Sequence, residues 1–184
     1  MDHSLTNKSD EELAELTQCN NSQAFEVLVD RYEPKLLRYG RRFVQDAESV
    51  QDAVQKTFLS TYVNIQSFDT ERKFSSWIYR IAHNEFVDII RHRRRETYSL
   101  FDPDMIMTLS TESDLMEDLE RQDLRQKLEG YLAELKPKYR DPVVLYYFED
   151  KDYQEISDIL QIPVSTVGVR LRRARKQLKK YYEA

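Results

Sequence analysis

The sequence predicts an all-α protein: two small helical domains joined by an acidic linker, the C-terminal one a helix-turn-helix. Three observations predict it. Only 3 Gly and 5 Pro occur in 184 residues, too few for the frequent turns that short strands need, while Leu, Glu, Lys, Arg and Gln are plentiful. Apolar residues recur at spacings of three and four, not two. Charge is segregated along the chain, which marks off a middle segment unlike its neighbours.

Residues 1–22 read as a polar, loosely held tail. In the first helical block, 23–95, Ala24, Phe25, Leu28, Val29, Tyr32, Leu36 and Leu37 form one buried helix face, interrupted by Pro34, which is expected to kink it. Asp46 is placed to cap a second helix, with Val50, Ala53, Val54, Phe58, Leu59 and Tyr62 on its apolar stripe. A third helix runs from about Ser75 to Arg94, with Trp77, Ile78, Ile81, Ala82, Val87 and Ile90 as its apolar positions. Residues 96–118 hold one apolar cluster, Met105-Ile106-Met107, among Ser, Thr, Asp and Glu, and read as the acidic linker. A second helical block occupies 119–184.

The net charge of −5 taken alone argues against a nucleic-acid partner, but its distribution reverses that. Residues 163–184 carry seven Lys/Arg against Glu183, a net of +6. Residues 70–95 carry seven against Glu71, Glu85 and Asp88, a net of +4. Residues 96–123 carry nine Asp/Glu against Arg121, a net of −8. Attraction to phosphate is screened over about 8–10 Å at cellular salt, so a local cluster acts independently of the sum.

Near the C-terminus, Tyr153, Ile156, Ile159 and Leu160 give a short helix an apolar face, and Gln161-Ile162-Pro163 ends it. Ser165 or Thr166 is expected to cap the next helix, in which Val167, Leu171, Ala174 and Leu178 point inward. Thr166, Arg170, Arg172, Arg173, Arg175 and Lys176 then face outward. A short helix, a tight turn and an arginine-rich second helix are the signature of a DNA-reading helix-turn-helix. Arginines near the start of the second helix reach base edges; those further along, with Lys176, Lys179 and Lys180, meet phosphates.

These residues carry a family resemblance. Leu135-Lys136-Pro137-Lys138-Tyr139-Arg140, Val143 to Phe148, Tyr153-Gln154-Glu155-Ile156, Ile162 to Val167 and Arg170 to Arg175 resemble region 4 of extracytoplasmic-function (ECF) sigma factors, of the sigma-70 family. Gln55-Lys56-Thr57-Phe58 resembles region 2.2; Phe74 to Asn84 and Asp88-Ile89-Ile90-Arg91 resemble regions 2.3 and 2.4. The resemblance covers about 23–95 and 119–180 with no region 3 domain between. It implies a transcription initiation factor that binds core RNA polymerase. Region 4 would read the −35 element as duplex, and region 2 would open the −10 element and hold its non-template strand.

Residue by residue, the resemblance implies a base-capturing loop from Asn64 to Phe74, with Phe68, Arg72, Lys73 and Phe74. Asn84 would bond a base edge, and Arg80, Arg91, Arg93, Arg94 and Arg95 would meet backbone. A pocket for a flipped base needs aromatic surface beside cations, yet Phe68 and Phe74 read equally as loop anchors. Trp77 reads as core, and Arg91 also stands at i, i+3 from Asp88 and can pair with it. Asp52, Gln55 and Phe58 match positions facing the β′ clamp helices, although burial of Phe58 is an equal alternative. The remaining partners implied are the β flap and an anti-sigma factor. Two positions depart from the family pattern: Lys56 where an acid is usual, and Gly168-Val169 in the recognition helix.

Other chemistries find little support. His83 and His92 lack metal-ligand spacing, and Cys19 has no Cys-His cluster around it. No cofactor, metal or catalytic group is expected, and the protein is expected not to be an enzyme. No apolar run approaches the ~20 residues of a membrane helix. Met1-Asp2-His3-Ser4 lacks the start of a signal peptide and the single cysteine suits a reducing compartment, so a cytoplasmic protein is expected. The rivals are a dimeric helix-turn-helix regulator, for which no dimerisation heptad is evident, and a hydrolase using Asp102 and Asp104, which would sit in the linker.

Overall fold

A computed structural model describes residues 5–99, 130–132 and 135–182. Every described element is helical: α1 (Asp10–Gln18), α2 (Ser22–Gly40), α3 (Ala47–Asn64), a 3-10 turn (Ile65–Ser67), α4 (Phe74–Ser99), α5 (Pro137–Tyr147), α6 (Tyr153–Leu160) and α7 (Val164–Tyr182). The chain divides into two compact units, Met1–Glu96 with Asp158–Leu160, and Thr97–Ser157 with Gln161–Ala184. The expected linker, with Met105-Ile106-Met107, Asp102 and Asp104, lies outside the described residues beyond Ser99, where α4 ends.

The first unit departs from expectation at its start. Residues 10–18 are a helix, not a loose tail. The sequence Ser9-Asp10-Glu11-Glu12 is a capping box: Glu12 N donates to Ser9 Oγ at 3.1 Å and Ser9 N to Glu12 Oε2 at 2.8 Å. Leu13, Ala14 and Thr17 are buried, and Asp10 ties α1 to α2. Its carboxylate accepts from Arg31 Nη1 and from Tyr32 Oη, both at 2.6 Å. Burial and that carboxylate together raise the Tyr32 phenol above its ordinary value, so it stays a donor.

Helix α2 runs on through Pro34. Asp46 caps α3 as expected, accepting from Ser49 N at 3.0 Å. Two Thr take inward places on α3: Thr57 and Thr61 are fully buried, each hydroxyl donating to the carbonyl four residues back. That satisfies a polar group that would otherwise be costly to bury. The inward face is therefore Val50, Ala53, Val54, Thr57 and Thr61. Leu59 and Tyr62, expected on the buried stripe, are exposed instead.

Between α2 and α4 lies an aromatic core. Tyr39 meets Phe43, Tyr79 and Phe86 at ring separations of 4.8, 5.2 and 5.8 Å. Its hydroxyl bonds His83 Nδ1 at 3.0 Å, which accounts for that buried histidine without a metal. Gly40 closes the cluster. A Cβ there would stand 2.5 Å from Phe86 Cζ and 2.8 Å from Val50 Cγ1, and both neighbours are fully buried. Gly40→Ala is therefore expected to lower unfolding free energy by about 1–3 kcal/mol through overpacking. Denaturant unfolding checks this, and unchanged stability contradicts it.

In the second unit Pro137 opens α5 at the position proline tolerates best. Val143, Val144 and Leu145 are buried with Leu132 and Leu135. Asp152 and Glu155 form a capping box that starts α6. Gln161 ends α6 in the left-handed region, φ 51°. The turn is locked by Ile162 N to Ser157 O at 3.2 Å and Ser157 Oγ to Ile162 O at 2.6 Å. Helix α7 begins at Val164, earlier than expected: Thr166 N and Val167 N return to Pro163 O, so Ser165 and Thr166 lie inside the first turn.

Candidate nucleic-acid interface

The recognition helix is built as a two-faced rod. Val167, Leu171 and Ala174 are fully buried, and Leu178, expected with them, is half-buried. Opposite, at the helical period, stand Ser165, Val169, Arg172 and Lys176, all exposed, with Arg173 beside them. Arg175 is also exposed, but on a flank. Thr166 and Arg170, expected on the outer face, are half-buried on the other flank.

Helical phase puts Thr166 and Arg170 beside the buried stripe, and Arg170 there lies within electrostatic reach of Asp141 of α5. Asp141 is buried and pairs with Arg140 at 3.4 Å. Burial pushes its carboxyl up to about 6, against the pull of Arg140 and then Arg170. The carboxyl thus holds its proton more tightly in the fold than in the unfolded chain, where its value is about 3.9. Its contribution is favourable at pH 4 and below and is lost as pH rises to about 6. The penalty above that is on the order of 3 kcal/mol. Asp141→Asn is expected to be more stable than the parent above pH 6, with the difference vanishing towards pH 4. Thermal unfolding of both proteins across that range checks this, and parallel curves contradict it.

Tyr139, also on α5, lies close enough to Arg173 for that side chain to be the first cause lowering its phenol below the ordinary value. Neither Tyr139 nor Asp141 had been assigned a role from sequence. Gly168 proves undemanding: a Cβ would make ordinary contact, 3.5 Å from Tyr153 Cε2.

A second cationic strip lies on α4. Arg80, half-buried, and Asn84 and Arg91, both exposed, recur at helical spacing with Trp77 and Asp88. Arg91 pairs with Asp88 at 3.2 Å, both exposed, so the pair is weak and open to competition from phosphate. Arg93 is turned to Asp46 at 3.4 Å and Ser49 Oγ at 3.0 Å, tying α4 to the start of α3. The side chains of Arg94 and Arg95 lie outside the described residues.

The loop before α4 holds a correction. Phe68 and Phe74 are 5% and 0% exposed, packed edge to face at 5.4 Å, and Tyr32 covers Phe74 at 5.5 Å. They anchor the loop; neither offers a ring face to a strand. Trp77, expected in the core, is half-buried and lies 5.1 Å from Phe68. Arg72 and Lys73 are exposed at the tip, Arg72 paired to Asp69 at 3.4 Å.

On α3, Asp52, Gln55 and Lys56 are exposed and Phe58 is half-buried against Phe25 at 6.5 Å. Beyond them lies apolar surface the sequence reading had assigned to the core or passed over: Leu59 at 67% exposure, Tyr62 at 49% and Val63 at 75%. Phe25 lies 5.0 Å from Tyr62 at its edge. Among the described residues no group of three or more His, Cys, Asp or Glu is placed to hold a metal, and no helix is long and apolar enough to cross a membrane.

Comparison with known proteins gives a consistent result. The sigma-70 region 2 model matches residues 28–96 and the sigma-70 region 4 model residues 125–178. ECF RNA polymerase sigma factor SigW of Bacillus subtilis is 34% identical over 169 residues, 87% of this chain and 89% of the relative. RNA polymerase sigma-H factor of Pseudomonas aeruginosa is 32% identical over 188 residues, 96% of this chain and 95% of the relative. The solved structure of CnrH in complex with the cytosolic domain of CnrY superposes with a TM-score of 0.70 at 25% identity, covering 96% of this chain and 98% of that one.

Proposed function

The chain belongs to the ECF sigma factors of the sigma-70 family, DNA-binding transcription initiation factors rather than enzymes, and on that footing we propose how its surfaces divide promoter recognition. As a sigma factor it associates with core RNA polymerase and recognises promoters. Helix α7 reads the upstream element as duplex. Val169 on its outer strip suits a thymine methyl, Arg172 suits guanine, and Arg173, Arg175 and Lys176 suit phosphates. The α4 strip takes the melted downstream strand: Asn84 bonds a base edge, and Arg72, Lys73, Arg80 and Arg91 neutralise phosphates. Trp77 is the aromatic surface left for stacking. Helix α3 and its apolar ridge dock on the β′ clamp helices, and the second unit docks on the β flap. The protein works in the cytoplasm, where its polymerase is.

One observation carries this reading: positive charge is concentrated on two outward helix strips, each backed by a fully buried apolar face. An anti-sigma partner follows from CnrH, whose solved complex contains CnrY, and such a partner would cover the α3 ridge in competition with polymerase. The test is run-off transcription by core polymerase plus this chain on a promoter pool randomised in two separate boxes. The reading expects two selected elements at fixed spacing. Selection of one element alone, or of none, contradicts it.

A further inference from the structure

The loop over residues 65–74 is held at both ends by a helix outside it. At its entry, Gln18 Nε2 of α1 donates to Ile65 O and to Phe68 O, both at 2.8 Å, and Gln66 Nε2 donates back to Gln18 O at 2.7 Å. At its exit, the backbone N–H of Phe74, the first residue of α4, donates to Glu11 Oε1 at 3.0 Å. Glu11 is thus an N-terminal cap delivered from a distant helix, its charge favourably placed at the positive end of α4. Between the two anchors lie only Asp69 to Lys73, with Arg72 and Lys73 exposed. Within that tip Glu71 N and Arg72 N both bond Asp69. α1 is itself fixed to α2 through Asp10, Arg31 and Tyr32.

We propose that α1 is a positioning element for base selection, with Gln18 and Glu11 the positioning residues that hold the 65–74 loop and, through the start of α4, set the strand in register with Asn84. Phosphate contacts from a tip five residues long keep the strand in register with Asn84 only if the stem does not drift, because a contact misplaced by an ångström is lost. Packing of Phe68 and Phe74 fixes the stem's depth; the hydrogen bonds from α1 fix its height and the direction in which α4 leaves. The inference rests on the proposed role of the loop in taking the melted strand.

The test uses full-length variants with core polymerase on the same doubly randomised pool. Gln18→Leu and Glu11→Leu remove the polar anchors at similar volume. Glu11→Gln keeps an acceptor for Phe74 N and serves as the conservative rescue. Selection at the downstream box is expected to weaken about tenfold in the two leucine variants. Selection at the upstream box and affinity for core polymerase should stay unchanged, and Glu11→Gln should select as the parent does. Downstream selection equal to the parent's in both leucine variants overturns the proposal. So does an equal loss at both boxes, or a Glu11→Gln variant as impaired as Glu11→Leu, since either marks a general folding role. A parent protein that selects no downstream element fails the underlying reading instead.

Discussion

Replacing Arg172 and Arg173 together by alanine is expected to lower transcription from a two-element promoter on the order of a hundredfold, at unchanged thermal stability. Both side chains are exposed on the face of α7 opposite its buried stripe, and the packing of Val167, Leu171 and Ala174 does not involve them. Each well-placed arginine on a guanine edge is worth about 1–3 kcal/mol of discrimination, and one on a phosphate adds a salt-dependent share. Loss should therefore be largest at low salt, where phosphate contacts are worth most, and the slope of log affinity against log salt should fall by about 1 for each phosphate contact removed. The same pair changed to lysine should retain much of the phosphate term but not base discrimination, because an ammonium lacks the planar fork. Run-off transcription at two salt concentrations reads all of this. Full activity in the alanine variant would remove α7 from duplex reading.

The second large effect is expected on α3. Leu59→Asp and Val63→Asp should raise the dissociation constant for core polymerase by at least about thirtyfold each, the scale of an interface hot spot. Stability should hardly change, since surface substitutions of this kind stay within about 0.5 kcal/mol. Leu59 at 67% and Val63 at 75% exposure contribute little to the domain's own core. Contiguous exposed apolar side chains on a helix whose inner face is already complete mark a docking surface. Fluorescence titration of labelled protein with core polymerase measures the change. Parental affinity with either aspartate would move polymerase docking elsewhere on the chain.

Much of this was legible from periodicity and charge. The inward stripe of α7, the cap at Asp46 and the break before Pro163 follow from local rules that act within one or two turns. What sequence misplaced depends on tertiary partners. Phe58, Leu59 and Tyr62 share a helical stripe with Val54, but Thr57 and Thr61 take the inward places because each hydroxyl satisfies itself on its own backbone. An apolar stripe read from hydrophobicity does not include such threonines. Arg170 looked like a DNA contact, but the helical period sets it half-buried beside the inward stripe, within electrostatic reach of Asp141 from α5. Phe68 and Phe74 suited either role, and it is their packing on each other, with Tyr32 over Phe74 and Trp77 beside Phe68, that makes them anchors. One error was avoidable: Ser9-Asp10-Glu11-Glu12 is a capping box written in the sequence, and it announces the helix whose residues hold the loop.

The central claim is that two separate cationic strips act on DNA together because polymerase carries them there. Gel shift on a promoter recovered from the pool tests it most directly, with the chain alone and with core polymerase. Weak, salt-sensitive and sequence-indifferent binding by the isolated chain, turning tight and sequence-selective on addition of core polymerase, is the predicted result. Tight, selective binding by the isolated chain, unchanged by core polymerase, would contradict it and point to a self-standing dimeric regulator.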